Sequence, residues 1–173
     1  MKGKAKLVAL SGISTAFAVI FLVVGIFIPM FDYSGLFLAS VCMTLPLAKK
    51  SKWAALISYA ATSLLSLIFI SGRWEVLLAF AAFFGLHPIV NYFFKEKGVN
   101  RYIGLLIKEI WFILTLLALY FFFEDFIVIE IEWLKKFAVP ALIVGGGLLF
   151  VVYDIMMFYF QRSVDAIVKR LKL

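Results

Sequence analysis

The sequence predicts an all-α polytopic membrane protein: a bundle of six transmembrane helices with both termini cytoplasmic. Three observations predict it. Hydrophobic residues make up 65% of the chain and charged ones 16%, far from the balance of a soluble domain. The apolar residues fall into six runs, several long enough to cross the roughly 30 Å hydrocarbon core of a bilayer. Charge alternates between the gaps that separate them. Lys2, Lys4 and Lys6 precede the first run. Lys49, Lys50 and Lys52 fill the second gap, and Lys95, Lys97 and Arg101 fill the fourth. Arg162, Lys169, Arg170 and Lys172 follow the last run. The intervening gaps carry Asp32, then Arg73 and Glu75, then the mixed segment from Glu124 to Lys136. Every second gap is basic, which is the positive-inside pattern for an even number of crossings.

The first helix is expected over 7–28. Its basic start resembles a signal peptide, but the apolar stretch is too long and no small-x-small cleavage site follows. Pro29 ends it, leaving a short external loop with Asp32 and Tyr33. The second, over 36–48, is the weakest span, because it is short and contains Thr44 and Pro46; it is expected to be tilted, broken or incompletely crossing. The third covers 53–70 and the fourth 74–94. The fifth covers 102–123 and the sixth 137–160. Between the last two, Ile127, Val128, Ile129 and Ile131 suggest a loop lying on the membrane surface. In the tail, 161–173, Val164, Ile167, Val168 and Leu171 recur at helical spacing, which fits an interfacial helix as well as a frayed cytoplasmic tail. The whole chain reads as one domain in a cell (inner) membrane.

A net charge of +7 would suggest nucleic acid in a soluble protein. Here it sits in short loops, where it orients the chain and meets anionic headgroups, so the lipid bilayer is the expected partner and nucleic acid is not. Cys42 is the single cysteine and implies neither disulfide nor redox chemistry. No glycine-rich phosphate cradle, nucleophile elbow or H-E-x-x-H motif occurs, and His87 is the only histidine. No catalytic residue, metal site or cofactor is therefore expected.

Four groups of residues remain as candidates. Small residues recur four apart in the first helix (Gly12 with Ala16, Ser14 with Ala18) and form a ridge of Ala54, Ser58, Thr62 and Ser66 in the third. Such ridges let helices approach closely in lipid; they serve either packing inside the bundle or docking of a partner. Ionisable groups at membrane depth are costly and are functional candidates by default. His87 and Asn91 lie in the fourth helix, Lys108 in the fifth and Asp154 in the sixth; the depths of Lys108 and Asp154 are compatible, and a pair between them would ease the burial of both charges. At the outer face, Asp32, Tyr33, Arg73, Trp74 and Glu75 converge, either as interfacial aromatics with their flanking charges or as a site for a small polar molecule. Pro88 and the run Gly145-Gly146-Gly147 mark where a helix can bend or a bulky neighbour can pack close.

The basic start, the small-residue first helix and the Ile28-Pro29 exit lead to a second helix ending Leu45-Pro46-Leu47-Ala48, then a basic turn. In a six-helix chain of this size they resemble the substrate-binding S component of energy-coupling factor (ECF) transporters. The resemblance implies a small-molecule solute, a vitamin or micronutrient, bound near the external face. It also implies a membrane coupling subunit with cytoplasmic ATPases, docked through an alanine-x-x-x-alanine motif for which Gly12-x-x-x-Ala16 and Ser14-x-x-x-Ala18 stand here. A different class stays open beside it: small six-helix scaffolds similar to the rod-shape MreD family hold partners and have no solute pocket. An outer cavity lined by Asp32, Arg73, Trp74 or Glu75 would favour the transporter subunit; a filled outer half would favour the scaffold.

Overall fold

The computed structural model describes residues 2–69, 72–123 and 136–170. The surface loop expected around Ile127–Ile131, with Glu124, Asp125 and Trp133, lies outside them. The described chain is helical throughout, without a strand among the described residues. Helix α1 spans Lys2–Phe27, α2 Asp32–Cys42, α3 Thr44–Leu47 and α4 Lys52–Ser66. Then come α5 at Trp74–Ala79, α6 at His87–Glu96, α7 at Arg101–Phe122 and α8 at Ala138–Arg170.

Five helical segments are long and apolar enough to cross a membrane: 3–27, 52–69, 74–96, 101–122 and 138–170. The sixth expected span is shorter, Asp32–Leu47, and is broken at Met43 between α2 and α3. The break follows from Pro46, which has no N–H to continue the ladder. Two further boundaries differ from the sequence reading. The fourth run is not one regular helix, since a π-helical turn at Phe80–Phe84 separates α5 from α6. The last run does not stop near residue 160, and the described part of the basic tail, to Arg170, is not a separate helix. It continues α8 without interruption to Arg170, giving 33 residues and a length of about 50 Å.

Local chemistry sets the ends. Ser51 and Asn100 cap α4 and α7 by accepting from the backbone N–H groups of Ala54 (3.3 Å) and Tyr102 (2.9 Å). Helix α6 closes with Gly98 at φ 67°, and the Val99 N–H reaches back to the Phe94 carbonyl at 3.0 Å. Pro140 stands in the first turn of α8, where no N–H is needed.

The main core joins Ala18, Leu22 and Ile26 of α1 to Leu36 and Ala39 of α2, closed by Val76, Phe80 and Leu119. Close backbone approach holds α1 to α2: a Cβ at Gly35 would lie 2.6 Å from the Phe21 carbonyl oxygen and 3.3 Å from the Gly25 Cα. In the triple glycine of α8, Gly146 packs under Leu116 and Ile113 of α7, whereas Gly145 faces open space. The outer surface is apolar as well. Leu106, Ile110 and Leu114 on α7, and Leu148, Val152 and Ile155 on α8, are all exposed. Helices apolar on both faces are compatible with a bilayer location.

Candidate functional site

Proline chemistry builds the middle of the bundle. Pro88 follows the π-turn and cannot donate to the carbonyl four residues back, so the Phe84 oxygen loses its helical partner. Ser40 of α2 supplies one, donating its hydroxyl at 2.6 Å. In the π-turn itself the Gly85 N–H bonds to Phe80, five residues back, at 2.8 Å. The Ala81 carbonyl that this register shift leaves over accepts the Tyr59 hydroxyl at 2.7 Å. Ser40 has one proton and gives it to Phe84, so in its 2.8 Å contact with Tyr153 the tyrosine is the donor.

Beside this lies the Lys108–Asp154 pair expected from the sequence, joined by His87 and Asn91. The Lys108 ammonium donates to the Asp154 carboxylate, and also to the Asn91 side-chain oxygen at 3.1 Å. The His87 Nε2 stands 3.0 Å from the same Asp154 oxygen; a neutral imidazole protonated there donates to it. His87 is fully buried and Lys108 is 4% exposed. The His87 ring sits among Phe83, Phe150 and Tyr153, and among the described residues its Nδ1 has no hydrogen-bond partner. All four candidates are thus in one cluster. Such a group is strongly directional glue in an apolar surrounding, since losing either charge leaves the other buried without compensation.

At one end of the bundle the Arg73 guanidinium grips the Asp32 carboxylate with two nitrogens, at 3.0 and 2.5 Å. Its Nε donates to Glu75 at 2.9 Å. Hydrogen bonding to Asp32 holds the guanidinium above even its usual range. The triad ties the start of α2 to the start of α5. Trp74, next to it, is half-exposed.

A cavity of about 910 Å³ lies between α2, the 79–84 segment, α7 and α8, open on the side where its lining residues Leu149, Val152 and Met156 are exposed. Tyr33 and Phe37 of α2 line one side, and Phe83, Phe84, Phe112 and Tyr153 form an aromatic floor. Of the five outer residues singled out from the sequence, only Tyr33 reaches it; Asp32, Arg73, Trp74 and Glu75 do not line it. The rim charges are paired with one another, one guanidinium between two carboxylates with a net charge of −1, and act as a strap. Phe37, Phe83, Phe112 and Tyr153 were not anticipated, because an aromatic residue within an apolar run carries no mark of facing a cavity. Ser40 was legible in principle, through the carbonyl that Pro88 must leave free.

The small-residue pairs of α1 divide. Ser14 and Ala18 are fully buried, and Ser14 donates to the Cys42 carbonyl at 2.6 Å; they pack within this chain and are not available for docking. Gly12 and Ala16 face outward, and a Cβ on Gly12 would meet nothing within 4 Å. The ridge Ala54, Ser58, Thr62 and Ser66 is buried, with Ser58 donating to the Ser11 carbonyl at 3.3 Å. No family model, no curated protein and no solved structure matches this chain.

Proposed function

We propose that the protein is the membrane-embedded solute-binding subunit of an ATP-driven uptake transporter for a vitamin or micronutrient, similar to an ECF S component. The observation that carries this reading is the cavity between α2, α7 and α8. At about 910 Å³ it falls within the range of small-molecule sites, and it has the predominantly apolar and aromatic lining typical of them. The rim residues Asp32, Arg73, Trp74 and Glu75 do not line it, so the reading rests on the size and the apolar, aromatic lining of the space. In this reading the chain crosses the inner membrane six times with both termini in the cytoplasm. The short Asp32–Leu47 pair then crosses with local adjustment of the bilayer. The outward Gly12–Ala16 face is where a coupling subunit with cytoplasmic ATPases approaches closely.

Mild-detergent purification of the tagged protein from its native membranes, with mass spectrometry of what accompanies it, tests the reading. Recovery of a membrane subunit together with ATPases is the expected result. Recovery of cell-wall or cytoskeletal proteins instead would replace it with the scaffold reading.

A further inference from the structure

The cavity's lining carries no charged side chain among the described residues. Of the nearby charges, Asp32 and Glu75 are paired with Arg73 and Asp154 with Lys108 and His87. The Glu109 carboxylate lies against Gly147, outside the lining, and among the described residues no cation faces the space. Two of the lining hydroxyls are engaged as donors: Thr115 donates to the Trp111 carbonyl at 3.0 Å, and Tyr153 donates to Ser40. Along α8 the lining runs as one stripe from Ala141 to Met156, which at ~1.5 Å per residue is about 22 Å. The space is therefore long, aromatic at its floor and without a counter-ion.

We infer that the solute is an uncharged, lipophilic molecule extended along α8. This rests on the cavity being the solute site. A charged solute would give up its hydration with no opposite charge to meet it, a loss that apolar walls do not offset. An alkyl or isoprenoid chain loses nothing and removes its own surface from water. Two sources could supply such a chain, a free neutral lipophile and the acyl tail of a bilayer phospholipid; the inference is for the first.

Gly145 gives the means to test it. It lines the cavity, and an added side chain there meets nothing within 4 Å, so Gly145→Phe fills the space from within a helix that prefers almost any residue to glycine. The full chain is reconstituted in nanodiscs of dioleoylphosphatidylcholine. Binding of radiolabelled 1-hexadecanol and of hexadecanoate, equal in chain length and different in charge, is measured against empty nanodiscs. The expected result is saturable hexadecanol binding, with hexadecanoate weaker by about tenfold or more, and loss of hexadecanol binding in Gly145→Phe. Equal or tighter binding of hexadecanoate overturns the inference, and so does a Gly145→Phe variant that still binds. Lipid extracted from the purified chain supplies an independent arm. A phospholipid retained one per chain by wild type but not by Gly145→Phe makes the cavity a bilayer-lipid site and likewise overturns it. Should Gly145→Phe fail to fold, Gly145→Leu takes its place, and the comparison of the two ligands on wild type stands without either. A chain that prefers hexadecanol but purifies without ATPases keeps this inference and loses the transporter reading. One that purifies with ATPases and prefers hexadecanoate does the reverse.

Discussion

Ser14 donates its hydroxyl to the Cys42 carbonyl at 2.6 Å, and Cys42 is the residue whose helical acceptor role Pro46 cancels. Ser40 does the same for Phe84, four residues before Pro88. In each case a neighbouring helix repairs a carbonyl that proline has orphaned in a place where no bulk water is at hand. Ser14→Ala and Ser40→Ala are expected to destabilise the fold, each by about 1–3 kcal/mol, the cost of an unsatisfied buried polar group. Pro88→Ala restores the missing donor, so the Ser40→Ala/Pro88→Ala pair should lose less than the two changes summed. Reversible unfolding in mixed micelles reads this as a double-mutant cycle. Additive losses would show that Ser40 does not serve the Phe84 carbonyl.

Removal of one member of the Lys108–Asp154 pair is expected to cost about 3–5 kcal/mol, because the survivor is left buried and uncompensated. The double change Lys108→Met/Asp154→Leu should cost far less than the two single changes together. His87, 3.0 Å from Asp154, then becomes the residual penalty, and adding His87→Phe should recover part of it. If Lys108→Met and Asp154→Leu add, the two side chains act independently, and the cluster does not hold α7 to α8.

The periodic and polar features of the sequence were the legible ones. Run length marked the five long apolar helices, and Pro46 marked the weakness of the second run. The cost of charge in hydrocarbon singled out Lys108, Asp154, His87 and Asn91 and paired Lys108 with Asp154; that His87 and Asn91 join the pair was not legible. What escaped was whatever depends on direction around a helix axis. Gly12-x-x-x-Ala16 and Ser14-x-x-x-Ala18 are equivalent as spacings, yet half a turn decides that one faces out and the other in. In a helix apolar all round, no polar face records that rotation. Rim charges are ambiguous for a related reason: Asp32, Arg73 and Glu75 read either as flanking charges or as ligand-binding groups until their mutual pairing is seen.

Gly35 admits no side chain without moving backbone. Its Cβ would fall 2.6 Å from the Phe21 carbonyl oxygen, and a helix backbone cannot yield as a side-chain end can. Gly35→Ala is expected to push α2 off α1 and lower stability by about 1–3 kcal/mol, the usual effect of overpacking. Gly12→Leu, with nothing within 4 Å, should leave unfolding unchanged and weaken recovery of the coupling subunit that the proposed function calls for. Loss of stability in Gly12→Leu would place Gly12 inside the bundle instead.

Arg73 ties the start of α2, and with it Tyr33 at the cavity wall, to the start of α5. Asp32 and Glu75 are only 13% and 12% exposed at their side chains, and Arg73 28%, so the pairing is better shielded than a surface salt bridge. Arg73→Ala leaves two neighbouring carboxylates facing each other without the cation between them. The expected loss is about 1 kcal/mol or somewhat more, at the upper end of exposed pairs. Arg73→Lys should not restore it, because one ammonium cannot present two parallel donors to Asp32 and a third to Glu75. Asp32→Asn/Glu75→Gln removes the carboxylate repulsion that Arg73→Ala exposes. Combined with Arg73→Gln, it should therefore be more stable than Arg73→Ala alone. Hexadecanol binding separates strap from scaffold: Arg73→Ala should weaken it by letting Tyr33 move. Unchanged binding together with lowered stability would confine the triad to holding the helix ends.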